Sequence, residues 1–253
     1  SGNTTEENQK LIGGYFHAIN DQTYNSDAYS FFEGWKNIGT LYTWLYDTNF
    51  ANYLYAYNSF KTMTESIKYM NQCGVELAYI QGQHNLRPQR RTGFNQLKIY
   101  LNGKFMVDPN ANYDKLVNKY FDNYFGKGSK KMKSFFDELV ARMDTFAVPY
   151  CNIYAGVNDA ATWNKTELEN WERYCNAAYD LETDPIIKEN ILAESIFPRF
   201  LLCSIFGNTY TSTAIRTKRI NFKNDCDSLN ITYTGENQTY NLLSNYYSNW
   251  GIN

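Results

Sequence analysis

The sequence predicts an α/β chain that is mostly helical, and three observations carry that expectation. Two short runs rich in β-formers, 40–46 and 75–80, are apolar on both faces, as strands of a covered parallel sheet would be. A helical pattern lies between them and makes a βαβ unit with a crossover long enough for parallel pairing. After the second run the pattern turns helical almost to the end.

Taken in order, the first ten residues are polar, and Leu11–Ile19 forms a short apolar, Gly-containing run suited to a strand. A helix is expected over Asp27–Asn37, where Tyr29, Phe32 and Trp35 recur at helical spacing. Gly39 then releases the chain into the first strand run, which ends in the polar cluster Asp47-Thr48-Asn49. Phe50–Asn58 is aromatic without a period and suits a long packed loop. Phe60, Met63, Ile67 and Met70 set the helix Ser59–Cys73, with Gly74 as its stop. The second strand ends in Gln81-Gly82-Gln83-His84-Asn85.

Further helices are expected over Thr92–Phe105, Tyr113–Phe125, Ser129–Met143 and Lys165–Leu181. Asp184-Pro185 supplies the N-cap and first turn of another helix, running to about Phe206, which Pro198 should kink or divide. The tail from Arg216 carries a short strand at Leu229–Tyr233 and an aromatic helical piece at Tyr240–Trp250. On this reading residues 1–90 hold the strands, and residues 91–253 form a helical region with a short irregular tail.

Composition narrows the function classes. A formal net charge of −2 over 253 residues gives no field that would gather nucleic acid, and the basic run Arg87–Arg91 is short. No stretch reaches the length of a membrane span. The five cysteines form no C-x-x-C pair, so neither a metal nor another cofactor is expected. The chain holds 23 Tyr, and Asn is abundant. Aromatic faces and amides suit sugars, but coding bias alone enriches the same residues.

In α/β folds chemistry gathers where strands end and loops begin. The first such end offers Trp44, Tyr46, Asp47 and Asn49; the second offers Gln81, Gln83, His84 and Asn85. One carboxylate, one imidazole, several amides and aromatic platforms are the groups of a sugar subsite. Asp47 and Asn49 suit the capping of a turn equally well. His17 suits a structural role better than a catalytic one.

The stretch Phe31–Asn85 resembles a bacterial domain of unknown function, number 4838, a glycoside-hydrolase-like barrel family related to α-glucuronidases and β-hexosaminidases. Glu33-Gly34-Trp35-Lys36, the run Leu41–Tyr46 with its exit Asp47-Thr48-Asn49-Phe50, and Gly74-Val75 leading to Gln81-Gly82 carry the resemblance. Leu97, Tyr100, Leu101, Asp108-Pro109 and Tyr124-Phe125-Gly126 extend it.

The resemblance implies a partial (β/α) barrel made of the C-terminal strands and followed by a helical region. It also implies an extracellular or cell-surface protein whose partner is carbohydrate. The sugar-facing cleft would be lined by Trp44, Asp47, Asn49, Tyr53, Gln81 and Gln83. Together with the strand-end reading, this makes Asp47 (base or electrostatic stabiliser) and His84 (orienting the sugar or a water with Gln81 and Gln83) the catalytic candidates and adds Asn85 to the sugar-binding ones. The barrel's earlier strands, which supply the general acid in related glycosidases, would lie before residue 1 or in another subunit. Glycoside hydrolysis uses two carboxyl groups, and one is well placed here. The expectation is therefore the C-terminal portion of a glycan-processing protein whose cleft holds a sugar without cleaving it unaided. The alternative is a non-catalytic carbohydrate-binding or scaffold domain.

Overall fold

The computed structural model describes residues 17–83, 91–146, 152–156, 158–237 and 241–252. Helix α1 (Ser26–Trp35) leads into strand β1 (Leu41–Tyr46), α2 (Phe60–Gln72) and β2 (Val75–Gln81). The helices α3 (Asn95–Val107), α4 (Tyr113–Tyr124), α5 (Ser129–Met143), α6 (Lys165–Leu181), α7 (Pro185–Ser204), α8 (Ser212–Ser228) and α9 (Leu243–Asn249) follow. The chain is mostly helical, with a small parallel sheet of two strands among the described residues.

The βαβ expectation holds. Strand β1 pairs in parallel with β2, Trp44 opposite Tyr79 and Tyr46 opposite Gln81. Gly74 takes φ +74° after α2, a turn for which a side chain would be strained.

Coverage on both faces does not hold. Leu41, Leu45, Val75, Ala78 and Ile80 pack against the core, and Thr43 Oγ1 meets Met70 Sδ of α2 at 3.2 Å. Tyr42, Trp44, Leu77 and Tyr79 point the other way and are exposed. Aromatic residues and leucine look alike in hydropathy whether a sheet face is covered or open, so the pattern over-read burial.

The helices pack on their chain neighbours from α2 through α8, and one apolar core runs from Ile19 to Ile252 through both the strand-bearing and the helical stretches. Its centre is aromatic. Phe94 lies 5.1 Å from Phe136, 5.3 Å from Phe135 and 5.9 Å from Phe121, measured between ring centroids. The loop 50–58 is buried along nearly its whole length, as the packed-loop expectation required.

Two expectations in the second half need correction. Of the two outcomes expected at Pro198, a kink or a division, division does not occur: helix α7 continues through it, with the residues around it buried in the core. Asp184 caps that helix as expected, accepting from the amide of Ile186 at 2.8 Å. The tail from Arg216 is helical as far as Ser228, and Leu229–Tyr233 makes one isolated bridge, Tyr233 with Leu242, in place of a strand. The expected strand over Leu11–Ile19 lies mainly outside the described residues.

Glu194 of α7 is buried in this core. Its Oε2 accepts from the amide of Phe94 at 2.8 Å, while Oε1 has no hydrogen-bond partner among the described residues. Burial pushes its carboxyl well above the ordinary carboxylate range, and the Phe94 amide opposes that in part. The folded chain therefore keeps a proton that the unfolded chain releases above about 4.5, and stability from this group is lost as pH rises. Glu194→Gln removes the titration. The stability difference between variant and wild type should shift in the variant's favour by about 1.4 kcal/mol per pH unit above that point, until native Glu194 itself ionises. Urea unfolding of both proteins at several pH values measures this, and a pH-independent difference would refute it.

Candidate functional site

The parallel strands alternate faces residue by residue, so the side turned from the core gathers Tyr42, Trp44 and Tyr46 of β1 with Leu77, Tyr79 and Gln81 of β2. Trp44 is 64% exposed. Its indole Nε1 donates to Gln81 Oε1 at 3.0 Å, and its ring meets Tyr79 edge-on with centroids 5.0 Å apart. These contacts hold the indole in place while leaving much of it open to solvent. Tyr46, at the strand end, meets Phe50 edge-on at 5.5 Å. The surface is an exposed aromatic platform whose rings stand edge to face, with an amide at its edge.

Just past the platform the chain turns inward. Asp47 is 2% exposed, and its amide continues the sheet ladder to the carbonyl of Gln81 at 2.8 Å. Its Oδ1 accepts from Ser59 Oγ, and its Oδ2 accepts from Asn102 Nδ2 at 2.7 Å. Lys98 Nζ lies 3.6 Å from Oδ1 and donates to the Asp47 carbonyl at 3.0 Å. The lysine is buried beside the rings of Tyr57 and Phe60, at 5.0 and 5.1 Å from their centroids. Burial pushes the Lys98 ammonium down to about 8, against the attraction and hydrogen bond of Asp47. The result is a buried, hydrogen-bonded ion pair that ties the exit of β1 to α2 and α3.

The other expected residues divide between surface and interior. Asn49 is buried, donating to the Ala155 carbonyl at 2.9 Å and accepting from the Asn52 amide at 2.9 Å. Tyr53 is buried, and its carbonyl accepts from Gln83 Nε2 and, at 3.0 Å, from Thr92 Oγ1. Gln83 is buried too, with Oε1 unpartnered among the described residues. The structure thus brings Trp44 and Gln81 together at the surface. Asp47, Asn49, Tyr53 and Gln83 lie beneath, where they organise loops. His84 and Asn85 lie outside the described residues. His17 stacks on Tyr24 with centroids 3.6 Å apart and faces Asp21 at 3.4 Å, a local structural contact.

Sequence reasoning missed Lys98, Asn102 and Ser59. A signal for two of them existed: Lys98 and Asn102 are one helical turn apart and share a face, and Lys98 lies among Leu97, Ile99 and Leu101. Among the described residues no three His, Cys, Asp or Glu side chains gather as a metal site would require. No described helix is long and apolar enough to cross a membrane.

A family model described as a domain of unknown function (DUF4838) matches residues 11–137, half of the chain. No curated protein and no solved structure matches.

Proposed function

The chain belongs to the family of the domain of unknown function DUF4838, and from that premise we propose that it is a carbohydrate-facing part of a glycan-processing, glycoside-hydrolase-like protein. One observation carries the reading: the exposed, hydrogen-bonded Trp44, flanked by Tyr79 and Gln81 on an open sheet face. The C–H face of a pyranose can lie against an aromatic ring while its hydroxyls meet amides, and neither contact needs charge.

On this reading Trp44, Tyr79 and Gln81 touch the sugar, and Asp47 positions the strand end beneath them. The engagement of both its carboxylate oxygens by Ser59 and Asn102 favours holding over attack. Binding is the part of the function assigned to this chain, and cleavage would draw on groups supplied elsewhere in the protein. Trp44→Ala should weaken oligosaccharide binding about tenfold or more, on the scale of ~1–3 kcal/mol for a lost aromatic stacking contact. Because Trp44 is exposed, thermal stability should hardly change. Glycan-array screening followed by calorimetry on the best binder measures it, and unaltered binding by the variant removes the platform from recognition.

A second reading has its own support. Parallel sheets are normally covered on both faces, and the face of Tyr42, Trp44, Leu77 and Tyr79 is open. That favours completion of a (β/α) barrel by strands from another segment of the same protein or from another subunit. Solvent protection of the Trp44 indole in the longer protein, read by fluorescence quenching, separates burial by strands from exposure to sugar.

A further inference from the structure

Away from the sheet, α6 and α8 both pack against α7 and leave a groove of about 520 Å³ between them. Helical spacing explains its lining. Ser195, Arg199 and Leu202 recur at one- and two-turn intervals along α7 and form the floor. Glu172, Asn176 and Tyr179 share the facing side of α6, and Lys218, Asn221 and Asp225 that of α8.

The charges in the groove are already balanced. Arg199 Nη2 meets Asp225 Oδ2 at 2.6 Å, and Lys218 Nζ meets Glu172 Oε2 at 2.6 Å. Each carboxylate uses one oxygen in its pair, and the other has no hydrogen-bond partner among the described residues. The carboxamides of Asn176, Asn221 and Asn224 on the rim also make no side-chain hydrogen bond among the described residues. Free carboxylate oxygens accept, and carboxamides both donate and accept. Ile191, Leu192 and Leu202 add an apolar contribution. A charged ligand would have to break an existing ion pair to reach its counter-charge, whereas a hydroxyl can donate to the free carboxylate oxygens and take the place of water on the solvent-exposed carboxamides of Asn176, Asn221 and Asn224.

We propose that the groove between α6 and α8 is a second binding site, for a neutral, hydroxyl-rich molecule of mono- to disaccharide size. The volume lies within the range of small-molecule pockets. The assignment rests on the groove's own lining and does not depend on the aromatic platform of the sheet.

The test is an NMR titration of the isotope-labelled chain with D-glucose and maltose, alongside D-glucuronate and D-glucosamine as charged counterparts. The neutral sugars should shift amide signals on α6 and α8, and the charged ones should bind several-fold more weakly. Asn221→Ala with Asn224→Ala should weaken maltose binding at this groove about tenfold, as expected for losing two hydrogen bonds of ordinary strength. Trp44→Ala should leave these shifts unchanged. The proposal is overturned by sugar titrations that move no groove signal, by a preference for a charged probe, or by unchanged binding in the double variant. If the double variant fails to fold, the wild-type comparison of neutral and charged probes decides. Groove shifts with no sugar-induced shift at the sheet platform of the wild-type chain would count against the sheet site alone.

Discussion

Asp47→Asn is expected to destabilise the chain by about 3–5 kcal/mol, the scale for breaking a buried ion pair from one side. The substitution leaves the Lys98 ammonium buried against Tyr57 and Phe60 with no counter-charge. Lys98→Met should also be costly, because it strips the carboxylate of its cation, although Ser59 and Asn102 still donate to it. The double variant should recover much of the loss, since the two penalties are coupled.

The pH dependence has a definite sign. In wild type Lys98 gives up its proton at about 8; without Asp47 it would do so at lower pH. The deficit of Asp47→Asn should therefore be fully present below the variant's own Lys98 value and be gone once pH has passed about 8, where the wild-type lysine is neutral as well. Urea unfolding of the four proteins at pH 6 and pH 9 (roughly 2 units below and 1 unit above that value) would check both expectations. A single-variant cost under about 1 kcal/mol, within the range of ordinary surface substitutions, would mean that the pair does not hold the strand end.

Gly93→Ala should cost about 2–5 kcal/mol, combining ~1–2 for a side chain in the left-handed region with ~1–3 for overpacking. Gly93 has φ +63°, and a Cβ there would lie 2.6 Å from the Tyr55 carbonyl oxygen and 2.8 Å from its carbon. Backbone cannot swing aside as a side chain can. The loop 50–58 would have to yield, and with it the Thr92 bond to Tyr53 and the Phe94 bond to Glu194. Gly103→Ala in α3 is the control, since its Cβ meets nothing within 4 Å. That change should stabilise the helix by about 0.5–1 kcal/mol. Equal melting behaviour of the two variants would show that close backbone approach at Gly93 is not what constrains the loop.

How much of this was legible depended on the distance over which each feature is decided. Met132, Phe136, Leu139 and Met143 recur at helical spacing, and the helix expected from them, Ser129–Met143, is the one found. The cap Asp184-Pro185 and the stop at Gly74 are equally local, a side chain or a φ value acting on its own neighbours. Parallel pairing of β1 and β2 was readable because the intervening helix leaves little alternative.

The candidate site was legible only as a set of residue types. Trp44 and Asp47 stand three residues apart, yet one is a solvent-facing platform and the other a buried anchor. Strand alternation separates faces, but which face receives the helices is decided by α2 and by the core beneath it. The partner that makes Asp47 structural, Lys98, lies 51 residues along the chain, and the amide that engages Glu194 lies 100 residues away at Phe94. The sequence by itself determined the helices, the two strands and the chemical groups at the strand ends, because those follow from local period and backbone sterics. Tertiary structure alone decided which of those groups meet solvent and which are consumed in holding the fold, because burial and charge pairing depend on what the rest of the chain brings alongside.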